Sequence, residues 1–392
     1  MRNERVAVIG GGVVGCAVVH ALARRSVAAT LLEAEPGLAL GASGANSGIL
    51  HTGFDSPPGE LETRLILRAE TLRAELQDEL GVPAWRCGAL LSPSGAQERE
   101  AVALLAENAR VNGVEAHLDR SGALTVPGEA VTDPVAFVHA LAGAAALGGA
   151  ELRVGARVES LAAEHDGDLV VGLGKGERLR VGAVVNCAGL YADEVARLAG
   201  EEIPAVYPRK GEFLVFSQGE DDPLEQILLP VPSPLGKGVL VFPTVDGTVI
   251  AGPTARERSD KCDFSVERDA RELILPRAIR MYPALERARG LGSYAGLRPA
   301  GREANYVIEH SANLRGLIHV AAIRSTGLSA SLAIGEHVVK MLAEQGLIAP
   351  GAIRPLPRAA RVPRPEGQHE WWQRAARHHE GAGPQPLEMS GR

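Results

Sequence analysis

Apolar and polar positions follow two rhythms along this chain, and each predicts a type of element. Short, mostly apolar runs at Val6–Ile9, Ala29–Leu32, Ala183–Val185 and Leu317–Val320 read as strands buried on both faces of a parallel sheet. Glycines follow the first run, and Val13 to Arg25 then reads as a helix whose basic end suits the helix dipole. From Leu61 onward, Leu65, Leu72, Leu76 and Leu80 recur at helical spacing, with Gly81 as the C-terminal stop. A second helix is predicted from about Gln97 to Asn112. A third opens with Asp133 as N-cap and Pro134 at the first helical position, and runs to about Leu147.

Residues 151–186 read as several strands, and the alternating pattern with Pro and Gly punctuation over 206–252 predicts an antiparallel sheet. Residues 266–288 look helical with an interruption at Pro276, and 292–309 return to strand. Ser329 to Glu344 reads as a helix stopped by Gly346. From Ile348 prolines break the pattern, and residues 348–392 are expected to form a flexible tail. That tail holds Trp371, Trp372, His378 and His379. The plain reading is disorder or an appended extension. The sharper one is a membrane or partner contact, because exposed aromatic side chains favour interfaces.

A chain of 392 residues suggests two or three domains. With 45% hydrophobic residues it can bury a substantial core. A net charge of -7 and the lack of a long basic stretch argue against nucleic-acid binding. Cys16, Cys87, Cys187 and Cys262 make no CxxC pair and read as reduced, packed thiols. No metal site is expected. The sequence shows no secretory signal and no apolar run of about 18 residues. Together these features predict a cytoplasmic protein, with peripheral attachment to the inner face of a membrane left open.

Gly10, Gly12 and Gly15 form G-x-G-x-x-G between the first strand and the first helix. In that setting the glycines permit a tight turn, close backbone approach to a pyrophosphate, and close strand–helix packing. The helix N-terminus turns unpaired N–H groups toward the phosphates. Glu33 ends the second strand, where a carboxylate holds ribose hydroxyls and repels a 2′-phosphate. The segment Gly41–Gly48, with Ser43, Asn46 and Ser47, is small enough to lie along the pyrophosphate and ribityl chain of FAD. The turn Ile323–Ala330, with Ser325, Thr326, Gly327 and Leu328, feeds a helix whose amides suit the pyrimidine side of a flavin. Gly189 follows the Ala183–Asn186 strand and is placed near the nucleotide.

Over roughly residues 5–345 the chain resembles the FAD-dependent family that includes D-amino-acid oxidase, glycine and sarcosine oxidases, L-2-hydroxyglutarate dehydrogenase and glycerol-3-phosphate dehydrogenase. The resemblance to the last two rests on Asn46–Gly53, Pro208–Glu212, Ala251–Thr254, Tyr294–Pro299 and Ile323–Gly327. It implies an α/β fold in which a discontinuous Rossmann-like FAD domain (1–85, 150–205 and 290–347) joins a substrate domain. The latter (86–149 and 206–289) is expected to carry a mixed, mainly antiparallel sheet. The implied reaction moves hydride from a small hydroxy anion to flavin N5. Glycerol 3-phosphate is first choice, L-2-hydroxyglutarate second and an amine third, with a non-catalytic flavin-binding scaffold as the alternative of another class. His51 is the candidate base, since imidazole accepts a proton near neutral pH. Arg298 is the candidate anion clamp, and Lys210 and Arg324 are weaker candidates. Some relatives carry a C-terminal iron–sulfur domain, but no cysteine follows Cys262. Oxygen, a quinone and a partner protein all stay open as electron acceptor.

Overall fold

The computed structural model describes residues 4–165, 167–219, 222–232, 238–359 and 371–380. The apolar runs assemble into a six-stranded sheet in the order 307–310, 317–321, 183–186, 6–9, 29–32, 151–153. Its strands are parallel except for the antiparallel edge strand Val307–His310. Successive side chains point to opposite faces, and both faces are covered. Val6, Val8, Leu31, Val185 and Ile318 face a layer of helices. Ala7, Ile9, Leu32, Val184 and Leu317 face a small antiparallel sheet formed by 158–163, 169–173 and 178–181.

The helical layer contains Val13–Ala23, Leu61–Leu80, Pro134–Leu147 and Gly327–Glu344. Val13–Ala23 is apolar on nearly every side and is buried at every position but Val14, as expected of a helix inside a core. It carries His20 into that core, and desolvation together with Arg24 and Arg25 pushes its pKa down to about 3. Asp133 caps its helix as expected, its carboxylate accepting from the Val135 and Ala136 amides at 2.9 Å.

A second, nine-stranded sheet is mainly antiparallel, with Ile227–Leu229 and Ala89–Leu91 as a parallel pair. Its longest ladder joins Val206–Ser217 to Gly290–Gly301. Residues 290–301 therefore sit in the sheet expected for the substrate domain, while the Pro134–Leu147 helix packs on the first helix of the nucleotide fold. The far face is covered by Ala270–Met281, which runs unbroken through Pro276. Pro276 and Glu272, whose carbonyl loses its helical partner, both lie on the exposed side, where the helix tolerates the missing bond.

The tail departs from expectation. Trp372–Glu380 is a helix, and Trp371 and Trp372 are buried to 4% and 1% exposure. Their rings pack on Tyr294 at centroid distances of 5.7 and 6.0 Å. His379 stacks on Phe264 at 4.0 Å, and His378 meets Glu35 at 2.9 Å. Here the two tryptophans are core residues, so they present no surface to a membrane or partner. Residues 360–370 and 381–392 of the expected tail lie outside the described residues. Among the described residues, no helix is long and apolar enough to cross a membrane.

Candidate active site

A cavity of about 830 Å³ opens between the two large sheets, at the carboxyl ends of the parallel strands. Its volume is near the top of the range of roughly 300–1,000 Å³ for small-molecule sites, and its place is where open α/β sheets bind ligands. Of the residues singled out in the sequence, Gly10, Gly12, Glu33, Ser43, Asn46, Ser47 and Gly189 line it, as do His51, Arg298 and the run Arg324–Leu328. Gly15 and Lys210 do not.

Gly15 is excluded for the reason its motif position gives. A Cβ there would lie 1.9 Å from the Gly10 carbonyl oxygen, and one at Gly10 2.4 Å from that of Cys187. The turn therefore closes only on bare backbone. Glu33 braces it from the second strand, accepting from the Gly11 amide at 2.6 Å and the Glu35 amide at 2.8 Å. Ser43 Oγ accepts from the Val13 amide at 2.9 Å, which places that loop at the helix N-terminus. Asn46 closes its own turn through the Gly48 amide at 2.8 Å. Thr326 bonds Tyr306 at 2.8 Å and Glu62 at 2.5 Å, fixing the start of the Gly327–Glu344 helix. Cys16 and Cys187 are buried beside the turn, and desolvation pushes both thiols well above the ordinary cysteine range. Cys262, by contrast, is exposed rather than packed.

A strand–turn–helix stripped of side chains, an acidic brace and a second helix N-terminus across the cavity together fit a flavin adenine dinucleotide. The model of the FAD-dependent oxidoreductase family (DAO) matches residues 5–341. The chain belongs to that family. It is 30% identical over 353 residues to a glycerol 3-phosphate dehydrogenase of Caloramator mitchellensis, covering 86% of this chain and 73% of that protein. The FAD-bound L-alpha-glycerophosphate oxidase of Mycoplasma pneumoniae superposes with a TM-score of 0.81 at 26% identity, covering 94% and 98% of the two chains. An L-2-hydroxyglutarate dehydrogenase of Escherichia coli (strain UMN026) is 27% identical over 308 residues, 73% of this chain and 72% of that one. The cofactor of this oxidoreductase is thus FAD, and its fold is the mixed α/β architecture expected.

At the other end of the cavity stands a polar cluster that sequence reasoning found only in part. The short strand Ile49–Leu50 pairs antiparallel with Ala130–Thr132, so His51 emerges beside Glu129. Glu129 is fully buried. Its carboxylate accepts from the Thr52 amide at 2.7 Å and the Thr52 hydroxyl at 2.8 Å, and contacts His51 Nδ1 at 2.9 Å. The His51 amide donates to Ser329 Oγ at 2.8 Å. Arg73 donates to the His51 carbonyl at 3.2 Å and to the Ser329 carbonyl, and burial pushes its pKa down to about 10. The histidine backbone is thereby tied to the Gly327–Glu344 helix, and its ring to Glu129. Glu129 and Arg73 carry no local sequence signal, because each reaches His51 only through the fold, and Thr52, although adjacent to His51, is singled out only by its bonds to Glu129.

Arg298 lines the cavity from Gly290–Gly301. Its Nε donates to the Arg209 carbonyl and one Nη to the Thr254 carbonyl, both at 3.0 Å. Desolvation first, then Arg209 and Arg324, push its pKa down to about 10. Lys210 corrects the sequence expectation. Strand alternation turns it to the opposite face, where it is fully buried against Asp263 at 2.8 Å and Ser265 at 3.1 Å. Its neighbour Arg209 faces the cavity in its place.

Proposed function

We propose that the chain oxidises the CH–OH group of a small anionic substrate, with glycerol 3-phosphate ahead of L-2-hydroxyglutarate. One observation carries this reading: a histidine held by a buried carboxylate shares a cavity with an arginine fixed by backbone carbonyls. When bound, FAD supplies the two-electron acceptor. Gly10, Gly12 and Glu33 would hold its adenosine and pyrophosphate, and residues 41–48 and 324–328 its flavin end.

The chain's own residues would then handle charge and proton. A carboxylate only accepts hydrogen bonds, so Glu129 fixes the His51 proton on Nδ1 and leaves the lone pair on Nε2. His51 Nε2 takes the proton of the substrate hydroxyl, and Glu129 stabilises the imidazolium that results. Arg298 presents fixed donors to the substrate anion. The amides opening the Gly327–Glu344 helix would lie at the flavin end of the bound cofactor and favour negative charge there.

Two observations favour the alcohol over an amine: the anchored base, and the names of the relatives reported above. The test is anaerobic mixing with glycerol 3-phosphate, L-2-hydroxyglutarate and glycine while flavin absorbance is followed. Bleaching by the phosphate ester, slowed about a hundredfold or more in His51→Asn, is expected. Equal bleaching in that variant, or bleaching by glycine alone, would overturn the reading.

A further inference from the structure

We infer that Arg209 sets the specificity of this site, completing with Arg298 and Arg324 a pocket for one dianionic tetrahedral group, a phosphate monoester. This rests on the oxidation of a small anionic alcohol proposed above and narrows its substrate class.

The first support is register. Arg209 and Arg298 face each other directly across the antiparallel ladder between Val206–Ser217 and Gly290–Gly301. Like charges in that relation destabilise a sheet unless something neutralises them. The next residue on the same face of the first strand, Gly211, has no side chain. A Cβ there would come within 2.9 Å of Pro253 Cβ and 3.2 Å of Arg298 Nη2, so the bare position leaves room for the guanidinium to cross the strand.

The second support is the distribution of carboxylates. Arg256 lines the same cavity and is neutralised by Glu212 and Glu267, both at 3.1 Å, and by Asp269 at 2.6 Å. Lys210, one residue from Arg209, is paired with Asp263. Among the described residues, no carboxylate pairs with Arg209, Arg298 or Arg324. Glu62, which shares the surroundings of Tyr306 with Arg324, is committed to Asn305 and Thr326. Carboxylates thus neutralise Arg256 and Lys261, which also line the cavity, and among the described residues none is paired with Arg209, Arg298 or Arg324. Burial first, and then the charges of Arg209 and Arg324, depress the pKa of Arg298.

The third support is chemical. A single carboxylate is satisfied by one guanidinium fork. A phosphate monoester gathers a charge of about −1.5 to −2 and three acceptor oxygens at one point near neutral pH. A hydroxy-dicarboxylate carries similar charge but divides it between two separated groups, so only one of them would meet the cluster.

The test uses the FAD-loaded full chain with Arg209→Leu and Arg209→Lys. Inorganic phosphate is titrated while the flavin spectrum is monitored, and anaerobic reduction by glycerol 3-phosphate and by L-2-hydroxyglutarate is measured. In Arg209→Leu the KM for the phosphate ester and the Kd for phosphate should rise together by about tenfold or more, with limiting reduction rate nearly unchanged. Arg209→Lys should recover part of the loss, and the parameters for L-2-hydroxyglutarate should move little. Unchanged phosphate affinity in Arg209→Leu, with the wild type still bleached by glycerol 3-phosphate, overturns the role of Arg209 and spares the oxidation. A wild type that binds phosphate through Arg209 but is bleached by neither hydroxy substrate keeps the pocket and removes the proposed reaction. A wild type that does not bind phosphate removes the pocket.

Discussion

Glu129→Gln isolates the link between His51 and the fold. The replacement is isosteric, and its amide oxygen can still accept from the Thr52 amide and hydroxyl, now 2.7 and 2.8 Å from the carboxylate. Its NH2 group then faces His51 Nδ1, where the carboxylate stands at 2.9 Å. A donor there demands an acceptor, so the imidazole proton moves to Nε2 and the ring presents the wrong tautomer. Hydrogen bonds to a charged group contribute about 1.5–3 kcal/mol and neutral ones about 0.5–1.5, so the three weakened contacts cost roughly 2–4 kcal/mol of stability. The chemical effect is larger, about 10²–10⁴-fold in the limiting rate of flavin reduction, as expected when a base loses its orienting carboxylate. Glu129→Ala differs by leaving buried donors without an acceptor, and should cost about 3–5 kcal/mol. Anaerobic stopped-flow reduction separates limiting rate from substrate affinity, and bound FAD is counted from its absorbance. Wild-type limiting reduction in Glu129→Gln, or a defect confined to KM, would refute the tautomer argument.

Three further perturbations probe the surrounding fold. Gly15→Ala puts a methyl 1.9 Å from the Gly10 carbonyl and forces the nucleotide turn apart; FAD affinity should fall at least about tenfold, checked by the flavin absorbance of purified protein and by reconstitution. Trp372→Ala should cost about 3–5 kcal/mol, seen as a lower denaturation midpoint. Because the buried indole N–H of Trp372 has no partner among the described residues, Trp372→Phe should cost much less, and equal losses in the two variants would count against the packing account. His20 gives a pH dependence: its folded pKa of about 3 lies below the unfolded value near 6.5, so the unfolded chain binds the extra proton. Its contribution to stability is complete above about pH 6.5 and declines toward pH 3 by about 1.4 kcal/mol per unit. His139, held near 4 first by burial and then by Arg374, adds a contribution of the same sign. Denaturant midpoints at pH 5 and pH 7 should converge in His20→Asn, and an unaltered difference would remove His20 from the account.

The elements of this fold were legible wherever one segment carries its own reason. The run Val6–Ile9, the glycine turn and the helix after it need only local sterics and burial, and they form where the pattern places them. Partnership was harder to read. Residues 290–301 look like any strand, and nothing in them says that they pair with Val206–Ser217 instead of entering the parallel sheet. The tail was misread for a related reason. Its composition is polar and proline-rich, and the apolar weight of Trp371 and Trp372 finds its partner, Tyr294, only in three dimensions.

The site divides along the same line. The residues proposed to hold the cofactor are legible because a dinucleotide is long and needs contiguous bare backbone, which leaves a motif. Arg209 and Lys210 show how little separates a cavity residue from a structural one: the side-chain period of a strand is two, so adjacent cations meet opposite environments. Glu129 lies 78 residues from the histidine it touches, and only the ladder joins them. Ile49 stands against Val131 and Leu50 against Ala130, and the Thr132 amide donates to the Gly48 carbonyl at 2.8 Å to hold that register. Continued by one step, the register brings His51 to Glu129. A slip of one residue in the same ladder would set Gly128 or Ala130 beside the imidazole and leave the carboxylate on the wrong face. The orientation of the His51 ring is therefore a property of strand pairing, and it is sensitive to substitutions at Gly48 or Thr132 that touch neither His51 nor Glu129.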